Sequence, residues 1–180
     1  MNNRKRKFVF YAAELMLLCF LIFFDQWTKA EAVAALKGKP FIPLIPGALE
    51  LYYLENTGAA FSMLENAQWF FCIVAVAAAA VIAWFILRIP SVKRMVPLHI
   101  CLIFIAAGAV GNLIDRLQLH YVRDFIYISL IHFPVFNVAD MYVTVCTALL
   151  VIYVLFVYKD EDFAFLHREG KPQSQDHLPE

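Results

Sequence analysis

The chain has 180 residues, of which 62% are hydrophobic and 17% charged, and its formal net charge is zero. That length suits one compact domain, and the hydrophobic share lies outside the range of ordinary soluble proteins, so a membrane protein is the first reading. With no basic surplus and no Lys/Arg stripe interleaved with aromatics, a nucleic-acid partner is set aside.

Taken in order, the chain opens on Arg4-Lys5-Arg6-Lys7 followed by an apolar run, which imitates the start of a secretory signal. The run is as long as a span requires, no small-x-small cleavage site follows, and Leu17-Leu18-Cys19 lacks the small residues of a lipobox. It is read as a retained first helix. Crossing ~30 Å of hydrocarbon takes roughly 20 residues at about 1.5 Å each, and four segments qualify: residues 8–24, 67–87, 96–114 and 136–158. Lys and Arg gather before the first span, in the link of Arg88, Lys93 and Arg94, and after the fourth at Lys159, Arg168 and Lys171. The positive-inside rule therefore places both termini and that link in the cytoplasm and the two larger loops outside.

In the first outer loop, residues 25–66, a Pro46-Gly47 turn signal separates Phe41-Ile42-Pro43-Leu44-Ile45 from Leu49-Glu50-Leu51-Tyr52-Tyr53-Leu54, which predicts a small sheet on the outer membrane surface. The expected fold class is all-α integral membrane, four transmembrane helices with a small extracytoplasmic β-sheet. Residues 1–159 form the membrane domain and residues 160–180 a polar cytoplasmic tail. Cys19, Cys72, Cys101 and Cys146 fall in separate apolar runs without ligand spacing and read as buried free thiols. No internal repeat is evident, which weakens a transporter of the inverted-repeat kind.

Charged groups at membrane depth cost on the order of 3 kcal/mol each, so each needs a partner or a function. Asp25 and Lys29 share a helix face four residues apart and read as a helix-end ion pair. Glu14, deeper in that span, either snorkels or pairs with another helix. Asn56 lies in Glu55-Asn56-Thr57-Gly58-Ala59-Ala60-Phe61-Ser62, a turn whose amide could hold a carbonyl. In Gly108-Ala109-Val110-Gly111-Asn112-Leu113-Ile114-Asp115-Arg116 the glycines admit a close helix neighbour, and Asp115 with Arg116 reads as an internal brace. Asp124 interrupts an apolar segment, and Asp140 opens the last span with Asn137 on its face and no basic residue before Lys159. A helix N-terminus would help tolerate such a carboxylate.

Asp124 and Asp140 flank a short outer connection and can converge at one membrane level. Two adjacent carboxylates cannot both ionise cheaply, so the pair shares a proton and supplies an acid and a base for water attack on a peptide bond. No Ser-His or Cys-His pair competes, and Asp115, His120, Asp124 and His132 have no recognised metal spacing. A proton relay in a small carrier, or a non-catalytic lipid-binding role, would use the same aspartates differently.

The segments Asp25-Gln26-Trp27-Thr28-Lys29, Asn56-Thr57-Gly58-Ala59-Ala60-Phe61, Gly111-Asn112-Leu113-Ile114-Asp115-Arg116, Val122-Arg123-Asp124-Phe125 and Phe136-Asn137-Val138-Ala139-Asp140, in that order, resemble the lipoprotein signal peptidase (signal peptidase II) family. The resemblance covers nearly the whole chain. It implies an aspartic peptidase of the bacterial inner membrane that needs no metal or cofactor and cleaves prolipoproteins before the diacylglyceryl-modified cysteine. It further implies Asp124 and Asp140 as the dyad, with Asn56, Gly108, Asn112, Asp115, Arg116 and Asn137 supporting the site or orienting substrate. Asp25 and Lys29 match the first motif in a structural role. The expected partners are the lipidated substrate, membrane lipid and globomycin-like cyclic peptide inhibitors, and a monomer is expected. Met141 departs from the serine common after the last aspartate.

Overall fold

The computed structural model describes residues 3–58 and 68–166. The Ala59-Ala60-Phe61-Ser62 part of the second motif, the first residue of the second expected span, and the tail beyond residue 166 lie outside the described residues. Among the described residues four helices are long and apolar enough to cross a membrane: α1 (Asn3–Leu36), α2 (Gln68–Arg88), α3 (Val96–Leu119) and α4 (Val138–Ile152), the last closing in a π-helical turn, Tyr153–Val157. Half of the apolar window of α3 is buried, against 11% in α1 and 6% in α2 and α4, so α3 is the axis around which the others stand. Phe8, Leu15 and Phe20 of α1, Trp69, Ile73 and Leu87 of α2, and Val145 and Phe156 of α4 face outward. Water would penalise that belt, whereas lipid accommodates it.

Two spans run past their expected ends. The first helix continues to Leu36 rather than stopping at residue 24, because Ala30-Glu31-Ala32-Val33-Ala34-Ala35 is good helix-forming sequence that needs no lipid. Its 34 residues reach roughly 50 Å, well beyond a bilayer core. Asp25 and Lys29 are thus inside a helix and not at its end. Similarly, α3 continues five residues beyond residue 114 and stops where His120 takes the left-handed conformation at φ 65°.

On the extended end of α1 rests an antiparallel sheet in the order β1 (Ile42–Ile45), β2 (Leu49–Asn56), β3 (Val122–Tyr127). The β1–β2 turn carries Gly47 at φ 73°, with the Ala48 amide donating to the Ile45 carbonyl at 3.0 Å. The third strand comes from the second outer loop and was not anticipated, since Arg123 and Asp124 hide its alternation. Leu51, Tyr53, Phe125 and Ile126 pack the sheet onto Ala32 and Leu36 of α1 and Val138 of α4. In this way the sheet, the far end of α1 and the start of α4 meet on one side of the molecule.

Gly108 is where α3 and α4 come closest. A Cβ there would stand 2.5 Å from the Ala139 carbonyl oxygen and 2.7 Å from Val143 Cγ2. Backbone cannot yield as a flexible side chain can, so Gly108→Ala is expected to cost about 1–3 kcal/mol. A lowered melting temperature in detergent checks this; an unchanged one would mean that the helices have room to spare.

Candidate active site

The start of α4 organises the site. Asn137 is its N-cap, and a reciprocal capping box forms: Asn137 Oδ1 accepts the Asp140 amide at 3.0 Å while Asp140 Oδ2 accepts the Asn137 amide at 3.1 Å. The other Asp140 oxygen accepts Asn112 Nδ2 at 2.8 Å. Asp140 is therefore held by two amide donors at the helix N-terminus. Asn137 also donates its Nδ2 to Asp124 Oδ1 at 2.6 Å and to Asn112 Oδ1 at 3.1 Å. One fully buried asparagine thus joins both aspartates, reaching Asp124 through its side chain and Asp140 through its backbone.

Asp124 comes from β3 and is 1% exposed. Its second oxygen accepts Asn56 Nδ2 at 2.8 Å, and the Asn56 carbonyl is in turn fixed by the Gly58 amide at 3.0 Å. Burial, followed by the charge of Asp140, pushes the Asp124 carboxyl up to about 7, and the amides of Asn56 and Asn137 and the charge of Lys29 pull the other way without prevailing.

Behind this pair lies a second set of buried charges. Lys29 Nζ sits 2.9 Å from Asp25 Oδ2, 3.5 Å from Asp115 Oδ2 and 2.8 Å from Asn112 Oδ1, with Lys29, Asp25 and Asp115 all fully buried. Asp25 Oδ1 accepts the Ala139 amide at 3.1 Å, so the first helix caps the fourth. Because Lys29 and Asn137 both occupy the Asn112 oxygen, the Asn112 amide nitrogen is left to face Asp140. Gly111 gives this network its space, since a Cβ there would collide with the Asp25 carboxylate.

The brace expected between Asp115 and Arg116 is corrected. Among the described residues the guanidinium that Asp115 grips is that of Arg123, through Nε at 3.1 Å and Nη2 at 2.6 Å. Neighbours on a helix point in different directions, and i,i+1 pairs do not face each other. Arg116 instead lines the cleft with its guanidinium carbon 5.0 Å from the Phe71 ring centroid, and its Nε is buried without a hydrogen-bond partner. Sequence reasoning also missed Gln26, whose Nε2 reaches Asp25, the Gly111 carbonyl and Asp115 at 3.1, 3.1 and 3.2 Å. An amide inside an apolar span was the available signal. Glu14 lies against another helix, its Oε1 2.7 Å from His99 Nδ1 of α3 but without the geometry of a hydrogen bond.

Asn56, Asn112, Arg116, Asp124 and Asp140 form the polar end of a cavity of about 560 Å³ whose remaining wall is apolar, built from Ile128, Ile131, Phe133 and Val135 together with Met141 and Val145 on the outward face of α4. A smaller groove of about 300 Å³ shares Asn112, Arg116 and Asp140 and runs between α2 and α4 past Phe71, Ala75 and Ala78. His120 and His132, weighed as metal ligands, lie elsewhere, at the cap of α3 and beside the Tyr127 hydroxyl at 3.3 Å.

Fold and site define a class: a protein of apolar, span-length helices with two aspartates at the polar end of a largely apolar cleft. A profile of the Signal peptidase (SPase) II family matches residues 17–156. Lipoprotein signal peptidases of Streptococcus pyogenes serotype M5 (strain Manfredo) and serotype M18 (strain MGAS8232) are each 38% identical over 160 residues, covering 89% of this chain and 98% of theirs. A bacterial membrane enzyme solved by the in meso method superposes with a TM-score of 0.69 at 28% identity, over 82% of this chain and 95% of that one. A second such structure gives 0.66 at 24% identity, over 93% and 95%, and bears on the fold alone. The chain belongs to the signal peptidase II family.

Removing Lys29 would leave the Asp25 and Asp115 carboxylates buried without their shared cation. Lys29→Met is expected to destabilise the protein by about 3–5 kcal/mol, read as a drop in melting temperature in detergent. A variant as stable as the parent would show that the buried cluster tolerates an unmatched charge.

Proposed function

We propose that Asp124 and Asp140 are the catalytic pair with which this membrane protease cleaves prolipoproteins, at the outer membrane edge and just before the diacylglyceryl-modified cysteine. Removal of signal peptides from prolipoproteins, in the bacterial inner membrane, is the activity of its family. The observation that carries the assignment is the Asn137 bridge, which brings two carboxylates from different elements to one end of one cleft.

In this reading Asp124 holds the proton, because burial and the neighbouring charge favour its neutral form. Asp140, at the N-terminus of α4, acts as the base and takes a proton from water as that oxygen bonds to the scissile carbonyl carbon. Asp124 gives its proton to the developing oxyanion. As the carbon–nitrogen bond breaks, the amine leaves with the proton held by Asp140, and one hydroxyl of the diol returns its proton to Asp124 as the new carboxyl forms, which restores the starting state. Arg116, with its partnerless Nε, and the Asn112 and Asn56 amides orient substrate carbonyls, and Gly108 keeps α3 and α4 close enough for this geometry. No metal or cofactor is required.

The apolar wall supports the substrate class. A lipid-modified cysteine lies at the bilayer surface, and a cleft continuous with the outward face of α4 meets it without lifting acyl chains out of lipid. Globomycin-like cyclic peptides would occupy the same cleft as a monomer-borne site. The basic residues Arg4, Arg88, Lys93, Arg94 and Lys159 all stand at the helix ends opposite the sheet, which supports cytoplasmic termini and an outer active site.

Asp124→Asn and Asp140→Asn are each expected to abolish cleavage of a purified diacylglyceryl prolipoprotein while the protein still inserts and keeps its melting behaviour. Undiminished turnover in both would reject the pair. Since the acid must be protonated, the rate should fall as pH rises through about 7, the value to which Asp124 is raised. A rate that climbs through that window would assign the proton differently.

A further inference from the structure

We propose that Arg123 is a positioning residue for Asp124: its bonds to Asp115 pin β3 to the end of α3 and so fix where the Asp124 carboxylate stands relative to Asp140. The inference rests on the reading of Asp124 as catalytic.

Successive side chains of a strand point to opposite faces, so anchoring one residue sets its neighbour. Arg123 is anchored unusually firmly. Its backbone amide donates to Asp115 Oδ2 at 3.0 Å, its Nε to the same oxygen at 3.1 Å and its Nη2 to Asp115 Oδ1 at 2.6 Å. The same Nη2 donates to Gln26 Oε1 at 2.9 Å. Asp115 cannot drift, because it is fully buried and also held by Lys29 and Gln26 from α1. The fork therefore ties β3 to two helices at once, while Asp124 on the opposite face meets Asn56 and Asn137.

The sheet does not supply this precision by itself. Pairing of β2 with β3 loses its regular register between Leu51 and Leu54, which is the stretch from Ile126 to Asp124. The ladder is thus interrupted beside the residue whose position matters most. On its other edge β3 is met by the Phe136 carbonyl, at 3.0 Å from the Phe125 amide and 2.8 Å from that of Ile126, beyond Asp124 rather than at it. On the near side the ladder is regular, with Asp124, Arg123 and Val122 facing Leu54, Glu55 and Asn56, and the Arg123 fork adds a tie to the helices that strand pairing cannot supply. Its charge is matched by Asp115, so it acts through geometry. Lysine would keep the charge but lose the planar fork.

The test uses the full chain and a diacylglyceryl precursor, with kcat, KM and the pH profile measured for Arg123→Lys, Arg123→Gln, and Arg123→Gln combined with Asp115→Asn. Misplacing a reacting group by about an ångström costs up to about 100-fold, so both single variants should lose about 10- to 100-fold in kcat with KM held within about twofold. The fall of rate with pH should also move to lower pH. Asp124 is faced by Asp140 from α4, Lys29 from α1 and Arg116 from α3, besides the Asn56 and Asn137 amides, and a displaced Asp124 is less exposed to the Asp140 charge. The double variant strands no carboxylate and should keep both the rate loss and the displaced limb. Parental kcat and pH profile in Arg123→Gln would overturn the inference. So would recovery in the double variant, which assigns the loss to a stranded Asp115, or a rate loss with an unmoved limb, which assigns it to fewer folded molecules. An active Asp124→Asn in the same assay would instead remove the catalytic reading beneath it.

Discussion

Lys29 is the charge on which the site depends. It is fully buried in a helix that crosses the membrane, and it is tolerable there only because two carboxylates and an amide oxygen close around it. Arg123 completes the set, so that Asp25 and Asp115 balance Lys29 and Arg123. In front of it stand Asp124, Asp140 and Arg116, two carboxyls and one guanidinium lining the same cleft, and with the shared proton proposed for the two aspartates this set balances too. A low-dielectric interior penalises any unmatched charge, so the two groups hold their composition together. The first is saturated by hydrogen bonds and rigid; the second retains a partnerless donor, the Arg116 Nε, for a substrate to satisfy.

Rigidity passes from one set to the other through α4. Its first amides are claimed by Asn137 and by Asp25, so the helix that carries Asp140 is capped by a residue of α1 as well as by its own N-cap. Asn112 then links Lys29 directly to Asp140. Strand β3 is tied into the same charges through Asp115. Asp140 is thus linked to the buried ion pairs through Asn112 and Asp124 through its chain neighbour Arg123, and the tight positions Gly108, against the α4 backbone, and Gly111, against the Asp25 carboxylate, lie among them. Larger residues there would push apart the elements that the ion pairs draw together.

Much of this was legible in the sequence, and the gaps have physical reasons. Span number, span order and the outer sheet follow from apolar runs, basic links and turn chemistry, because lipid and water sort residues so strongly. Helix ends were less legible: α1 outruns its apolar run, since propensity continues a helix after hydropathy has stopped requiring one. Strand β3 was hidden by the two charges that make it important. The residues Asp25, Lys29, Asn56, Asn112, Asp115, Asp124, Asn137 and Asp140 could be singled out as polar groups in forbidding places. The i,i+4 pair of Asp25 and Lys29 was read correctly, but the long-range partners could not be derived. Nearness along the helix suggested Asp115 with Arg116, whereas the fold returned a strand eight residues on and gave Asp115 the better geometry of Arg123. Long-range pairing is a property of topology, and no spacing rule reports it.

The two ends of the bundle are built from opposite chemistry, and that difference fits the work of each. At the end away from the sheet Arg94 grips Asp162 with two bonds of 2.6 Å, caps the Val157 carbonyl at 3.1 Å and receives the Tyr158 hydroxyl on its own carbonyl at 3.1 Å. Arg94 is half exposed, so water screens that clasp and either partner can find alternatives in solvent. At the end that carries the sheet, Asp25, Lys29 and Asp115 are fully buried, so a lost partner among them leaves a stranded charge. Proton sharing requires such a place, because solvent would let both aspartates ionise. The burial that makes Asp124 hold a proton near neutrality is thus the same burial that demands Lys29, Arg123 and three asparagines around it, and the chemistry cannot be separated from the structure that shields it.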